Sequence, residues 1–146
     1  MDNEMTLSFV ARSENESLAR MAIMSFIAQL DPTIDELSEI KTIISEAVSN
    51  AIIHGYEGDE RGIVTMHAVR SGDTIQVSIQ DFGQGIANVE QAMEPLYTSK
   101  ATLERSGMGF TIMESFADEL AVDSAIGEGT SITFTKKISS VRTPVM

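Results

Sequence analysis

Glu46, Asn50 and His54 stand at i, i+4 and i+8 within Glu36 to Tyr56, ELSEIKTIISEAVSNAIIHGY. At about 100° per residue such a set drifts only slowly around a helix and forms one polar row. The row borders a broad apolar face made by Ile40, Ile43, Ile44, Ala47, Val48, Ala51 and Ile52. A carboxylate and a carboxamide one turn apart, half-sunk beside a core, are costly unless they bind something. A metal, a nucleotide or each other would serve, and a solvated helix edge with a weak Glu–Asn contact is the plainer alternative.

Two further stretches carry chemistry. Asp81-Phe82-Gly83-Gln84-Gly85-Ile86 follows a predicted strand. A carboxylate at a strand end can accept a hydrogen bond from an exocyclic amine such as that of adenine, and the glycines let backbone approach a flat ligand. An ordinary D-x-G turn would read the same way. Arg105-Ser106-Gly107-Met108-Gly109-Phe110 precedes a predicted helix. Glycines opening a helix offer free N–H groups and a positive dipole end to a phosphate. Arg105 could grip a terminal phosphate with two parallel bonds, and Lys100 adds a second cation. A Gly-rich surface loop is the alternative here.

Neither stretch is a Walker A loop or a complete dinucleotide fingerprint. Gly127-Glu128-Gly129-Thr130 reads as a hairpin turn, whose Thr130 hydroxyl either faces a ligand or satisfies the turn. His54 and His67 are the only histidines. They make no zinc site, no Ser–His–Asp set is visible, and His67 reads as structural.

The elements that must position these residues follow from patterning. Met5 to Val10 alternates and predicts a strand. Ser13 with Glu16 predicts a capping box and a helix to about Gln29, broken by Asp31-Pro32. Thr33 with Glu36 predicts a second capping box, opening the long helix. Gly55 is expected as its left-handed cap. An acidic loop, Glu57 to Gly62, leads to a hairpin of Ile63 to Arg70 and Thr74 to Gln80 around Ser71-Gly72-Asp73. Asp81 to Gly85 is read as a loop and Asn88 to Met93 as a short helix. Glu94 to Gly109 has no periodicity, and a loop that long is usually functional or disordered. Phe110 to Phe116 predicts a helix, and Leu120 to Ser124 and Ser131 to Lys137 predict strands. The fold class expected is α+β, a two-layer sandwich of a mainly antiparallel sheet covered on one face by helices.

Composition sets bounds. The 146 residues suit one domain over 1–146, with a core from about 5 to 137 and a frayed tail after Lys137. Apolar residues make up 42%, enough for a proper core, and cysteine is absent, which excludes thiol chemistry and points to a reducing cytoplasm. No apolar run approaches the roughly 18 residues of a membrane span, and the acidic, alternating opening is wrong for a signal peptide. A net charge of −12 argues against direct nucleic-acid binding by the whole surface.

Taken singly these signals are weak, but their order is specific. Glu46-x-x-x-Asn50-x-x-x-His54, Asp81-x-Gly83-x-Gly85, Gly107-x-Gly109 and Gly129-Thr130 resemble the motif series of the GHKL ATPase/kinase superfamily, whose ATP-binding domain is the Bergerat fold. The resemblance covers about residues 5 to 137. SEAVSNAIIHGY, PLYTSKATLERSGMGFTIMESF and ARSENESLAR look closest to the anti-sigma factor kinases, the sporulation type above all.

The resemblance implies a serine-protein kinase using ATP and Mg²⁺. Glu46 would be the general base and Asn50 the magnesium ligand. Asp81 would bind the adenine amino group, with Gly83 and Gly85 lining the base pocket and Thr130 supporting Asp81 directly or through water. Thr98, Ser99 and Lys100 would fall in the ATP lid. Gly107 and Gly109 would wrap the phosphates, and Arg105 would contact the γ-phosphate and act in catalysis. His54, Ile86, Ser106, Met108 and Phe110 complete the implied nucleotide contacts. The implied partners are a sigma factor, held by a homodimer of the kinase, and an anti-anti-sigma factor phosphorylated on serine; nucleic acid and membrane are not among them. Glu16 and Arg20, at i, i+4 on the first helix, are carried over as partner contacts.

Phe82 stands where the family often has an acidic residue and Ala101 where proline is common, and Tyr97 and Ser99 replace frequent Phe and Thr. These departures bear on the lid and on nucleotide affinity. A general-stress type of anti-sigma kinase, or an ATP-dependent sequestering module without turnover, are the alternative functions. The intact Glu46 argues against the module. A histidine-kinase catalytic domain would need a phospho-accepting helix of its own.

Overall fold

The computed structural model describes residues 2–86, 89, 93 and 109–139. Within them the chain runs β1 (Asn3–Val10), α1 (Asn15–Ile27), a 3₁₀ turn, α2 (Ile34–Asn50), a π-helical turn (Ala51–Gly55), β2 (Ile63–Ser71), β3 (Thr74–Asp81), α3 (Gly109–Phe116), β4 (Glu119–Ala125) and β5 (Gly129–Lys137). The strands form one five-stranded sheet in the order β1-β2-β3-β5-β4. Every neighbouring pair is antiparallel. The expected α+β sandwich is the fold found.

Register explains the two layers. Leu7, Met66, Ile79, Ile132 and Val122 pair in turn across the sheet, and Met5, Ala68, Val77, Phe134 and Leu120 form the next row. Side chains of paired residues share a face, so these rows make one apolar surface. The helices cover it. Ile40, Ile43, Ile44, Ala47 and Val48 of α2 and Ala19, Ile23 and Ile27 of α1 are fully buried. The opposite face carries hydroxyl pairs, Ser8 with Thr65 at 3.0 Å and Ser78 with Thr133 at 2.9 Å. His67 belongs to that face, its Nδ1 2.8 Å from Thr6 Oγ1 and its Nε2 3.3 Å from Glu4 Oε2.

The capping box of α2 forms as expected. Thr33 Oγ1 accepts from the Glu36 N–H at 3.1 Å, and Glu36 Oε1 accepts from the Thr33 N–H at 2.9 Å. The other box does not form. The chain turns before α1 begins, so the Glu16 N–H is taken by the Ser13 carbonyl at 3.1 Å. The Glu16 carboxylate pairs with Arg20 at 3.0 Å instead, and no side chain caps α1.

Gly55 is not a left-handed cap. The positive φ values after α2 belong to Glu57 and Gly58. The π-helical turn closes with the Tyr56 N–H donating to the Ala51 carbonyl at 3.0 Å. Gly55 is required for a different reason, its close contact with Asp81.

The tail also differs from expectation as far as Ser139. Ile138 is buried, its N–H donating to the Asp73 carbonyl at 2.7 Å, and the Ser139 N–H donates to Glu36 Oε2 at 2.7 Å. Of the expected helix at Asn88 to Met93, only Val89 and Met93 are described, joined by an N–H to carbonyl bond of 3.1 Å. Most of the loop from Glu94 to Gly109 lies outside the described residues. No helix among those residues is long and apolar enough to cross a membrane.

Candidate functional site

The apolar rows of the sheet end in a polar one. Asp81 of β3 pairs with Thr130 of β5, and Thr130 with Ser124 of β4. All three therefore share the helix-covered face. Asp81, expected in a loop, is the last residue of β3, and Gly129 and Thr130 open β5. Asp81 and Thr130 are buried. Burial pushes the Asp81 carboxyl above the ordinary carboxylate value, opposed by N–H groups of Gly83 and Thr130 directed at it. The Gly83 N–H to Asp81 Oδ1 distance is 2.9 Å.

The glycines around Asp81 are there because nothing larger fits. A Cβ on Gly55 would lie 2.6 Å from Asp81 Cγ, and one on Gly83 1.8 Å from the Gly55 carbonyl oxygen. Gly85, at φ +78°, would bring a Cβ to 2.0 Å from the Ala125 carbonyl oxygen. The end of the π-helical turn, the segment after β3 and the β4–β5 turn thus touch through backbone. Hydrogen bonds fix them together. The Gln84 N–H donates to the Gly55 carbonyl at 2.9 Å, Gln84 Nε2 to the His54 carbonyl at 2.7 Å, and the Gly127 N–H to the Gln84 carbonyl at 2.8 Å. Tyr56 adds a strut. Its hydroxyl accepts from the Phe82 N–H at 2.8 Å and donates to the Ile63 carbonyl at 2.6 Å.

Glu46 and Asn50 lie on the half-buried border of α2, as the row predicts, and Asn50 is its last residue. The π-helical turn begins at the next residue, so His54 does not continue a regular α-helical row; its carbonyl serves the Gln84 side chain. Glu46 faces the start of α3: a Cβ on Gly109 would stand 3.1 Å from Glu46 Oε2. Phe110 is buried behind that helix start, and Ile86 is half-buried with its N–H donating to Ser124 Oγ at 2.7 Å.

The structure therefore assembles Asp81, Gly83, Gly85, Ile86 and Thr130 in one corner, and sets Glu46 beside Gly109. Thr98, Ser99, Lys100, Arg105, Ser106, Gly107 and Met108 lie outside the described residues. Glu16 and Arg20 pair on α1, with Arg20 Nη1 also 2.9 Å from Ser45 Oγ, one residue before Glu46. Among the described residues, no group of three or more His, Cys, Asp or Glu is placed to hold a metal ion.

A model of the histidine kinase-like ATPase domain matches residues 9–136. The chain is 66% identical, over the whole of both chains, to the anti-sigma F factor of Lysinibacillus sphaericus. The chain belongs to the anti-sigma F factor family of histidine kinase-like ATPase domains. The anti-sigma F factor of Clostridium beijerinckii is 56% identical over 140 residues, 96% of this chain and 98% of that one. Among solved structures, the RsbU and RsbW domains of a Mycobacterium tuberculosis protein superpose with a TM-score of 0.69 at 20% identity, covering 99% of this chain. That likeness is one of fold, and the chain spans 35% of the longer protein.

For a member of this family, several positions in the corner do not stand out in the sequence. Gly55 carries a signal, a glycine at a helix end, but the signal suggests a cap. Tyr56 and Gln84 act through side chains reaching 26 and 30 residues along the chain, which local patterning does not reveal. Ser124 alternates within a strand like any surface serine, and only the register places it beside Thr130.

Proposed function

We propose that this chain is an anti-sigma factor of the cytoplasm that binds a sporulation sigma factor, sigma F, and uses Mg-ATP to phosphorylate a serine of its anti-anti-sigma factor. The unphosphorylated anti-anti-sigma factor releases the sigma factor, so transfer to its serine keeps inhibition in place. The active form proposed is a homodimer that contacts neither nucleic acid nor membrane. The observation that carries the reading is the buried Asp81 in its glycine-walled corner, with the Glu46 carboxylate beside the start of α3. Two near-full-length relatives named anti-sigma F factor point to the same biology.

The corner suits a nucleotide. A buried carboxylate needs a donor facing it, and an exocyclic amine supplies one. Gly55, Gly83 and Gly85 let the backbone segments around Asp81 close on one another, where a Cβ at any of the three would push the walls of the corner apart. The proposed reaction needs little covalent chemistry from the protein, since positioning and charge neutralisation carry most of phosphoryl transfer. Glu46 takes the proton from the substrate serine as its oxygen attacks the terminal phosphorus and the bond to the diphosphate breaks. Asn50 would hold Mg²⁺ through its side-chain oxygen, a neutral donor of the kind magnesium accepts, and the ion would neutralise charge on the transferring group. Lys100, Arg105 and the Ser106 to Gly109 stretch are proposed to close over the phosphates, with Thr98 and Ser99 in the same lid. Glu16 and Arg20 are the proposed partner contacts on α1.

The decisive experiment is transfer of radiolabelled phosphate from Mg-ATP to a purified anti-anti-sigma protein, with Glu46→Gln alongside. Label on the partner's serine with the parent, and a loss of about 10²–10⁴-fold with the variant at unchanged ATP affinity, is expected. Normal transfer by Glu46→Gln would remove Glu46 as the base. ATP binding without transfer by the parent would instead favour a sequestering module.

A further inference from the structure

Ser124 is the third member of the polar row, and the proposed reaction gives it no role. Its hydroxyl has three neighbours: the Ile86 N–H at 2.7 Å, the Gly129 carbonyl at 2.9 Å and Thr130 Oγ1 at 2.8 Å. A hydroxyl has one proton and two lone pairs. The Ile86 N–H can only donate and the Gly129 carbonyl can only accept. All three contacts are hydrogen bonds only if Ser124 donates to Gly129 and accepts from both Ile86 and Thr130. The Thr130 proton is then committed to Ser124, and Thr130 Oγ1 is left with lone pairs alone.

That one-way arrangement matters because of what lies next to Thr130. Asp81 is its cross-strand partner, and two N–H groups, of Gly83 and Thr130, are directed at the Asp81 carboxylate. Asp81 and Thr130 are therefore both acceptors, side by side on one face. Two adjacent acceptors are satisfied by a group bearing two protons, such as an exocyclic –NH₂ or a water. A carbonyl at the same place would set its lone pairs against theirs. If Thr130 could turn its proton outward, half of that discrimination would go.

We propose that Ser124 is a positioning residue that fixes the Thr130 hydroxyl as an acceptor and so makes the pocket select a 6-amino purine over a 6-oxo purine. This inference rests on the reading of the corner as the base pocket. It assigns the selectivity to a residue that need not touch the base. The preference follows from leaving a buried polar group unpaired or opposed with the wrong base, which discriminates far more strongly than shape alone.

The probes are ATP and inosine triphosphate, which differ in the purine at C6 (amino against oxo) and in the proton the 6-oxo form carries on N1, with Kd measured by calorimetry for the full chain. The parent is expected to prefer ATP by at least about 100-fold. Ser124→Ala, which frees the Thr130 proton, should narrow that ratio about tenfold. Ser124→Thr, which keeps a hydroxyl, should hold the ratio near the parent's. A Ser124→Ala chain that melts lower and binds both nucleotides equally more weakly, with the ratio unchanged, would overturn the proposal and leave Ser124 a purely structural tie for Ile86.

Thr130→Val gives the independent arm if Ser124→Ala does not fold. Loss of the acceptor itself should narrow the ratio, and an unchanged ratio overturns the proposal. In the Thr130→Val background, Ser124→Ala should change the ratio no further, because Ser124 acts through Thr130. A parent that binds neither nucleotide overturns the base-pocket reading and this inference together, whereas ATP binding with insensitive ratios overturns the inference alone.

Discussion

The Asp81 carboxylate packs against Gly55, so closely that a Cβ on Gly55 would sit 2.6 Å from Asp81 Cγ. The contact ties the C-terminal end of the α2 segment to the end of β3, the two elements that bring the proposed base pocket and the proposed general base together. Gly55→Ala should therefore displace Asp81 instead of merely filling space. Overpacking here is expected to cost about 1–3 kcal/mol of stability and about 100-fold in ATP affinity. Gly72→Ala is the matched control. Gly72 has φ +61° and open space around it. It should lose about 1 kcal/mol of stability with ATP affinity intact. Thermal melting and calorimetry on both variants check the pair.

Asp81 sets function against stability. Burial raises its carboxyl above the ordinary value in the ligand-free chain. The folded state then takes up a proton more readily than the unfolded one, so the cost of the charge is present above the folded pKa. It is relieved as pH falls through that value toward the unfolded one. Asp81→Asn removes the charge. The variant should melt higher than the parent at pH 7 without nucleotide, and the gap should close as the buffer is acidified. ATP affinity should fall about 10–100-fold, the scale of a hydrogen bond to a charged group. Unchanged ATP affinity would falsify the assignment of Asp81 to the base.

Gly55 and Asp81 also mark the boundary between what local sequence dictates in this fold and what tertiary contacts decide. Helix α2 is legible in the sequence because Thr33 and Glu36 cap it and Ile40 to Val48 repeat at helical spacing, both local properties. The hairpin of β2 and β3 is legible from alternation around Gly72. Glu46, Asn50, Asp81 and Thr130 stand out because their order along the chain forms a known motif series. Local signals mislead where a tertiary contact decides the matter. Gly55 is glycine because of Asp81, 26 residues on, not because a helix ends there. Ser13 fails as a cap because its own carbonyl has already taken the Glu16 N–H. The end of the chain looks frayed because nothing near it announces that Glu36, 103 residues earlier, holds the Ser139 N–H.

That tie makes Glu36 an acid sensor for the fold. Burial would raise its carboxyl, but N–H donors from Thr33 and Ser139 outweigh burial and hold it below the ordinary value of 4.5. For a depressed carboxyl, the stabilisation is fully present above the unfolded pKa and is lost as pH falls through the folded one. Glu36→Gln has only one oxygen for two N–H donors, since Oε1 serves Thr33 and Oε2 serves Ser139. The amide nitrogen must then oppose one of them. At pH 7 the variant should be about 1–2 kcal/mol less stable. The difference should shrink below about pH 4.5 as the parent's own carboxylate is protonated. Denaturant titrations at a series of pH values measure both effects, and a difference that persists undiminished in acid would show that the charge is not what matters.

Lys136 occupies an inward position of β5, in line with Ile132 and Phe134, where an apolar residue is expected. Its ammonium group donates to the Phe116 carbonyl at the end of α3 at 2.7 Å and stands 3.2 Å from Glu39 Oε1 of α2. The two partners differ in weight. Glu39 is about one third exposed, with a side-chain accessibility of 34%, so solvent screens that pair. The carbonyl ends a helix, where a cation both fills a vacant acceptor and meets the negative end of the dipole. Lys136→Met, which keeps the length and the apolar stem, should therefore cost about 1–3 kcal/mol. Glu39→Ala should cost less than about 1 kcal/mol. Equal losses would mean that the ion pair, and not the helix end, is what Lys136 serves. Hydrogen exchange gives a local readout, because loss of the Phe116 contact should loosen the amides of α3, whose first residue lies beside Glu46, before those of α2.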